Sequence, residues 1–408
     1  MKRFAKLALG LALTLPFLWI LRTHEQQIHT SAVSGNRDSI AYWAAGKLLL
    51  RGENPYSPDR VFQLQREQGL TESKPRMLRP PPWSTWMFLP LGFVNAYWAW
   101  VVWIAASVIA LIVSVRTCWR LYGDGGPRPR AFLIAAYVFA PLIGCLIWAQ
   151  MSLVLLLGIV AFFLWEEERP HLAGVALTVA FAKPHIFVVL WPVLGVWILA
   201  RKRWRLLTGF VLAFAAEILI SLALDPAIFS HYNSMLHTEA IENEFIPTLI
   251  GIIRVLYFRP YFWVQFVPMI IAVVWGLWFY WRNRKGWSWR EHGPWLLVVS
   301  LLTTPYDKFQ DETVVLPAIL AGVAWLAQAR LRLRSQLMVA FFVCLNLLLL
   351  LILNARIQVA TGMYAWSPLV WFAWYWYTSR FRLRLNPLGH LPVAEVSPEH
   401  RLPEAAPL

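Results

Sequence analysis

Side chains that could act as acids, bases or ligands are few in this apolar sequence, and most stand at the ends of its apolar runs. Asp307 and Asp311 are four residues apart, so one helical face would hold both carboxylates. Their charges would repel each other unless a ligand or a cation lay between them. His231 and His237 are six residues apart, which does not place them on one helical face. The spacing of the two aspartates indicates a contact with a ligand, and the spacing of the two histidines argues against a zinc site.

The cysteines give no sign of metal or disulfide chemistry. Cys118, Cys145 and Cys344 are widely spaced, and two of them lie inside apolar runs. The sequence also contains no Asp-x-Asp pair of the kind that holds a divalent cation. We therefore predict no metal and no cofactor.

The composition is that of a membrane protein. Of the 408 residues, 59% are hydrophobic and 14% are charged, whereas roughly a quarter of the residues in soluble domains are charged. The 25 Trp residues suit a chain with many membrane–water interfaces. The net charge of +15 could indicate nucleic acid, but the basic residues alternate with long apolar runs and form no single patch. That pattern indicates membrane topology, and we predict no nucleic-acid partner.

The apolar runs predict an all-α polytopic bundle of about twelve transmembrane helices, in a single domain of residues 1–386. They lie at about 5–22, 81–115, 131–147, 152–165, 171–183, 185–200, 206–224, 260–281, 294–305, 313–329, 337–353 and 366–378. The first run is interpreted as an uncleaved span because no small-x-small cleavage site follows it.

The basic clusters in the short loops fix the expected orientation. With the amino terminus inside, each of these clusters falls on the same side of the membrane. Both termini are then cytoplasmic, and the long outer loops lie at about 23–80 and 225–259. The tail, 387–408, contains Pro and Glu without an apolar pattern, so we expect it to be disordered.

Several breaks in the runs should position the polar residues. The runs 171–183 and 294–305 are too short to cross, since twelve residues cover about 18 Å. Their outer ends should therefore sit below the outer surface, beside a cavity that opens outward. The second run is broken at 90–92, which predicts a short helix that dips in, followed by a full span.

The first outer loop predicts a short helix that lies on the membrane. Ile40, Trp43, Ala44 and Leu48 repeat at helical spacing, which is typical of an amphipathic helix. Asp38 stands at its start, Gly52 should end it, and residues 54–56 should form a turn.

The order of the motifs along the chain resembles that of glycosyltransferase family 87, within the GT-C superfamily of membrane glycosyltransferases. The resemblance spans roughly residues 30–320. It rests on Asp38 before the short helix, the Gly-Glu-Asn-Pro-Tyr sequence of 52–56, Pro-Pro before the next span, Lys183-Pro184, and a motif that contains Pro305. One departure is Ala149-Gln150, where many relatives have Gly-Gln.

The resemblance implies a GT-C-like enzyme of a bacterial inner membrane, with its active site on the extracytoplasmic face. Such an enzyme moves a sugar, typically mannose, from a polyprenyl-phosphate donor to a hydroxyl of a lipid or glycan acceptor, with inversion. Asp38 is then the candidate general base. The candidates for contact with the leaving phosphate are Lys183, His185, Lys308 and Arg356. The candidates for contact with the sugar or the acceptor are Asp307, Asp311, Glu312, Tyr56 and His237.

Five of these residues also have a simpler interpretation, which for His237 is a place in a solvated loop over 225–259. Asp38 could cap the following helix, Lys183 could extend its amine to the membrane interface, His185 could be a satisfied interfacial histidine, and Arg356 could be an interface anchor. The chain as a whole could instead be a lipid or glycolipid flippase or transporter without covalent chemistry, or a scaffold subunit of an envelope complex. No internal repeat supports a transporter.

Overall fold

The computed structural model describes residues 37–238, 246–328, 332–354 and 364–385. Within these residues all regular secondary structure is helical, and there is no strand. The predicted first span, the predicted disordered tail and Arg356 lie outside the described residues.

Seventeen α-helices, numbered here in chain order, make up the described part of the chain. They are α1 Ser39–Leu50, α2 Pro58–Glu67, α3 Leu89–Gly92, α4 Ala96–Tyr122, α5 Arg130–Val138, α6 Ala140–Trp148, α7 Ser152–Trp165, α8 Pro170–Ala180, α9 Leu190–Ala200, α10 Trp204–Leu224, α11 Ile228–Thr238, α12 Leu249–Tyr257, α13 Val267–Asn283, α14 Trp289–Thr303, α15 Leu316–Gln328, α16 Arg332–Asn354 and α17 Ser367–Leu385. Short 3-10 helices at Pro82–Phe88, Pro184–Phe187, Phe262–Phe266, Arg284–Gly286 and Phe309–Val315 precede or join several of them.

Five of the described helical segments are long and apolar enough to cross a membrane. They are Ala96–Tyr122, Trp204–Leu224, Phe262–Gly286, Phe309–Gln328 and Gln336–Leu353. The pair α5 and α6, bent by 43°, would make a sixth if it forms one broken span, and α7, α8 and α9 are shorter apolar helices. The chain is therefore a polytopic helical membrane protein, and the count of twelve spans stays a prediction.

The second apolar run is broken as predicted, but the break lies at 93–95, because the residues expected to interrupt it, 90–92, are helical. The 3-10 helix Pro82–Phe88 continues into the short α3, and α4 begins only at Ala96. Asn95 caps α4, since its side-chain oxygen accepts a hydrogen bond from the backbone N–H of Trp98 at 3.0 Å. The turn after α1 is confirmed as well. Gly52 has a φ of +69°, and the Asn54 side chain accepts the Tyr56 N–H at 2.8 Å.

Helix α1 exists, but the prediction that it lies on the membrane as an amphipathic helix is wrong. Ten of its twelve residues are buried. The predicted stripe overlooked Ala41, Tyr42 and Ala45, which make the helix apolar on its other faces, and a helix that is apolar all round is buried. A Cβ on Gly46 would overlap the carbonyl of Phe88, so this glycine lets α1 contact the backbone of its neighbour closely.

The two short apolar helices end where predicted, at polar breaks that face each other. Helix α8 ends at Ala180 and α14 ends at Thr303, and each is followed by a proline that cannot continue the helical hydrogen bonding. The Thr304 hydroxyl donates a hydrogen bond to the carbonyl of His185 at 2.8 Å. The two breaks in the α-helices therefore lie side by side and form one region.

The basic loops meet at the opposite end of the bundle. Helices α9 and α15 begin a few residues after the polar breaks and run away from them, and α4 passes the break after α6, where Trp103 Nε1 donates to the carbonyl of Ala149 at 3.0 Å. At their far ends the side chain of Gln328 donates to the carbonyl of Tyr122 at 3.2 Å, and Arg201 donates to the carbonyl of Arg284 at 2.5 Å. The polar breaks and the basic loops thus lie at opposite ends of the helices.

Candidate functional site

The break between α6 and α7 places a polar residue inside the bundle. Ala149 adopts the left-handed conformation, with a φ of +53°. The N–H of Gln150 donates to the carbonyl of Cys145 at 2.9 Å, and the N–H of Ala149 donates to the carbonyl of Leu146 at 3.2 Å. This is a Schellman motif, the usual way in which a helix ends on a left-handed residue. It turns the chain so that Gln150 faces its neighbours from α1 and the break after α8.

Glycine adopts this left-handed conformation without strain, so Ala149, in place of the glycine of Gly-Gln, carries a conformational cost. We expect Ala149→Val to destabilise the protein by about 2 kcal/mol, since a β-branched residue is strained there. Ala149→Gly should stay within about 1 kcal/mol of wild type, because relief of strain and loss of a buried methyl group oppose each other. The apparent Tm in detergent measures both. Equal Tm values for the two variants would contradict the assignment.

Asp38 does not cap α1. Its backbone is right-handed helical, and its side chain makes no capping hydrogen bond. The carboxylate instead accepts a hydrogen bond from Arg76 Nη1 at 2.6 Å on Oδ1 and one from Gln150 Nε2 on Oδ2. The side chain remains 20% exposed. The capping interpretation is therefore wrong, and the carboxylate is held by two donors on a partly open surface.

Arg76 is itself held in place. Its guanidinium also bonds to the carboxylate of Glu72, with 3.1 Å between Nε and Oε2, and it lies 5.5 Å from the ring of Trp148. The side chain of Gln65 bonds both to the backbone N–H of Arg76, at 2.9 Å, and to its carbonyl, at 2.7 Å. The cation beside Asp38 is thus fixed by both its backbone and its side chain.

Lys183 lies at the break after α8, and it points into the protein. Its Nζ donates to Asp311 Oδ1 at 2.9 Å and to Gln150 Oε1 at 3.3 Å. Asp311 also accepts hydrogen bonds from the Ser152 hydroxyl at 2.6 Å and from the backbone N–H of Lys308 at 3.3 Å. The side chains of Lys183 and Asp311 are 12% and 1% exposed. The interpretation of Lys183 as an interface anchor is therefore wrong.

These contacts bring three of the predicted residues into one network. Asp38, Lys183 and Asp311 come from separate parts of the sequence, and Gln150 connects the first two of them. Asp307 and Asp311 do not share a helical face, because the 3-10 helix begins at Phe309. Lys183, not a shared face, is what accommodates the charge of Asp311.

The other two carboxyl groups of the predicted cluster differ from Asp311. Glu312 accepts hydrogen bonds from the Ser367 hydroxyl at 2.5 Å and from Trp371 Nε1 at 2.6 Å, so it fastens the start of α17. Asp307 is 4% exposed, and it forms no hydrogen bond or ion pair with the described residues. Burial, together with the nearby carboxylates of Glu312 and Asp311, raises the pKa of Asp307 well above its ordinary value. A protonated Asp307 could donate a hydrogen bond to a ligand.

His185 is near Lys183, but it is not a cation at neutral pH. Burial lowers the pKa of His185 to about 4, and the charge of Lys183 contributes to this shift. Its Nε2 is buried without a hydrogen-bond partner among the described residues, and its ring lies against Tyr306, with 5.6 Å between centroids. Any contact from His185 to a phosphate would therefore be a hydrogen bond and not an ion pair.

Among the remaining predicted residues, Lys308 meets the network through its backbone N–H, which donates to Asp311, whereas Tyr56 and His237 lie in other segments. Tyr56 is buried, its hydroxyl donates to the carbonyl of Pro80 at 3.2 Å, and its ring contacts Tyr232 of α11. It therefore joins the two long predicted outer loops, 23–80 and 225–259. His237 on α11 and the side chain of Lys308 are exposed. Binding of the sugar or acceptor by Tyr56 or His237, and of phosphate by Lys308 or Arg356, stays a prediction.

Sequence reasoning missed two central members of the network, Gln150 and Arg76. A polar side chain between two apolar runs is costly in a membrane unless it has partners, and this cost could have drawn attention to Gln150. Arg76 is one of several basic residues in a long loop, and no spacing distinguishes it. Among the described residues, no three His, Cys, Asp or Glu side chains come together in a way that could hold a metal ion.

Comparison with known proteins identifies one family. The sequence profile of glycosyltransferase family 87 matches residues 81–305, which is more than half of the chain. The matched segment contains Gln150 and Lys183, whereas Asp38, Arg76 and Asp311 lie outside it. No curated protein and no solved structure matches the chain significantly.

Proposed function

Since the chain belongs to glycosyltransferase family 87, we propose that it transfers mannose from a polyprenyl-phosphate donor to a hydroxyl group of a lipid or glycan acceptor. The observation that carries this proposal is the network at the polar breaks. It holds a partly exposed carboxylate, Asp38, one amide away from the ammonium group of Lys183. A base and a cation close together are what this transfer needs.

In the proposed reaction, Asp38 is the general base. Its carboxylate takes the proton of the acceptor hydroxyl while the hydroxyl oxygen attacks the anomeric carbon of the sugar. The bond between that carbon and the phosphate oxygen breaks, and the bonding electrons leave with the phosphate. Attack from the side opposite the leaving group inverts the anomeric centre. The products are the glycosylated acceptor and a polyprenyl monophosphate.

The leaving phosphate gains negative charge, so a fixed cation near it lowers the barrier. Lys183 suits this role because Asp311, Gln150 and a break in the helices already fix its position. Arg76 supplies a second cation on the other side of Asp38.

Asp307 is the best candidate for a contact with the sugar hydroxyls. The carboxylates of Asp311 and Glu312 are already occupied by Lys183 and by the start of α17. Asp307 has no such partner among the described residues, and a neutral carboxyl group can both donate and accept hydrogen bonds. It lies in the break after α14, which is joined to the break that contains Lys183.

We further propose that the site faces the extracytoplasmic side of a bacterial inner membrane, with both termini in the cytoplasm. The support is the separation of the Asp38 network from the basic loops at the far end of the bundle. Under the positive-inside rule, the loops that contain Arg201 and Arg284 belong in the cytoplasm.

The proposed function is tested with purified protein in liposomes of membrane lipid extract. We expect added polyprenyl-phosphate mannose to yield a mannosylated product and an equal amount of polyprenyl monophosphate. Polyprenyl-phosphate glucose, assayed in parallel, tests the choice of sugar. Lipid movement between leaflets without any product and without donor consumption would support a flippase and overturn the proposal.

A further inference from the structure

We propose that Gln150 is a positioning residue that holds the general base and the phosphate-binding cation of this reaction in place, and also apart from each other. The inference rests on the proposed function, because it assigns Gln150 a role toward Asp38 and Lys183.

The orientation of the Gln150 amide follows from its partners. An ammonium group can only donate hydrogen bonds, and an ionised carboxylate can only accept them. The amide oxygen must therefore face Lys183, at 3.3 Å, and the amide nitrogen must face Asp38. The hydroxyl of Tyr42 donates to the same oxygen at 3.2 Å. A flipped amide would set donor against donor and acceptor against acceptor.

The amide is also rigidly supported. Gln150 is 7% exposed, and its backbone N–H and carbonyl bond to the carbonyl and the thiol of Cys145, at 2.9 and 3.3 Å. Tyr42 is fixed by stacking on Phe88, with 4.6 Å between centroids, and by contact with Trp103 at 5.0 Å. A group held on both sides in this way can define the positions of its partners.

Separation of Asp38 from Lys183 matters because each of them already forms an ion pair with another residue. Asp38 pairs with Arg76, and Lys183 pairs with Asp311. If Lys183 moved onto Asp38, a second cation would make the carboxylate a weaker base. The ammonium group would also be less available to a phosphate. A neutral amide bonds to both groups and adds no charge to either.

The test compares Gln150→Glu and Gln150→Ala in the transfer assay across pH. Gln150→Glu keeps the acceptor for Lys183 but places negative charge beside Asp38, which favours the protonated base. We expect kcat at pH 7.5 to fall about tenfold or more. The acidic limb of the kcat profile should move upward by about one pH unit, with little change in KM for the donor.

Gln150→Ala should lower kcat by a similar factor. The acidic limb of its kcat profile should move to lower pH or stay, because Lys183 can then approach Asp38 and favour the charged carboxylate. The matched control is Gln328→Glu, because this amide also joins two helices, at 3.2 Å, but at the far end of the bundle. The control should keep both kcat and the acidic limb. Identical acidic limbs in wild type and Gln150→Glu would overturn the inference.

A second measurement does not depend on activity. The contact between Gln150 and Asp38 predicts that Gln150→Glu lowers the apparent Tm at pH 8, and that adding Asp38→Asn restores part of the loss. If wild type transfers no sugar but this coupling appears, the proposed function fails and the positioning of Asp38 by Gln150 stands. Additive Tm changes would overturn the inference.

Discussion

Asp38→Asn should reduce sugar transfer by about a hundredfold or more, while the protein still folds and binds its donor. The amide has nearly the shape of the carboxylate but cannot take a proton from a hydroxyl at neutral pH. Removal of a general base typically costs a factor of about 10²–10⁴. The measurement is kcat at saturating donor, with donor binding followed separately.

The structure also indicates what this substitution does to stability. Asp38 makes no cap, so the helix itself loses nothing. The oxygen of the substituted amide can still accept a hydrogen bond from Arg76 or from Gln150. Its NH2 group then faces the other of these two donors, and this unfavourable contact costs about 1–3 kcal/mol. Arg76 retains Glu72 as a partner. We therefore expect a lower apparent Tm but a folded, monodisperse protein at assay temperature.

A matched control is Glu53→Gln. It makes the same carboxylate-to-amide change in the same outer loop, and it breaks an ion pair with Arg60, with 2.6 Å between Nη2 and Oε2, away from the network. This exposed pair should contribute about 0–1 kcal/mol, and transfer should be unchanged. If Asp38→Asn retains the wild-type rate, Asp38 is not the base. Asp307 would then be the first alternative candidate for the general base, ahead of Asp311 and Glu312.

The sequence was sufficient to find the region of the candidate site but not the hydrogen bonds that join its residues. Short apolar runs and prolines located the breaks that contain Lys183 and Asp307, because helix length and hydrogen-bonding rules act locally. The bond between Asp38 and Gln150 joins residues 112 positions apart. No helical period carries that information, since a period defines which residues share a face and not which face of another helix they meet.

Helix α1 shows how a correct local pattern can lead to a wrong placement. The helix and its end at Gly52 follow from spacing and turn residues. Its depth depends instead on Gly46, which permits a close approach to the 3-10 helix before α3. That approach buries the face that carries Tyr42, the residue that supports Gln150. Burial of α1 is therefore part of what builds the site.

Lys183→Met should lower sugar transfer by about a hundredfold, because removal of one preorganised donor to a developing charge typically costs a factor of about 10²–10³ in kcat. The structure predicts a second effect. Without Lys183, Asp311 is a buried carboxylate that has lost its cation, and such a loss typically costs about 3–5 kcal/mol. A low yield of this single variant would therefore not report on catalysis.

The double variant Lys183→Met/Asp311→Asn separates the two effects. It removes both charges of the buried pair, and its amide can still accept the hydrogen bond from Ser152 at Oδ1, so most of the lost Tm should return. Transfer should stay about a hundredfold low, because no cation faces the phosphate from this side. Lys47→Met is the matched control, since among the described residues that lysine donates only to the carbonyl of Gly92, at 3.2 Å. Its loss should leave transfer intact. Wild-type transfer by the double variant would show that Lys183 is structural, and it would assign the phosphate to Arg76 or to another cation.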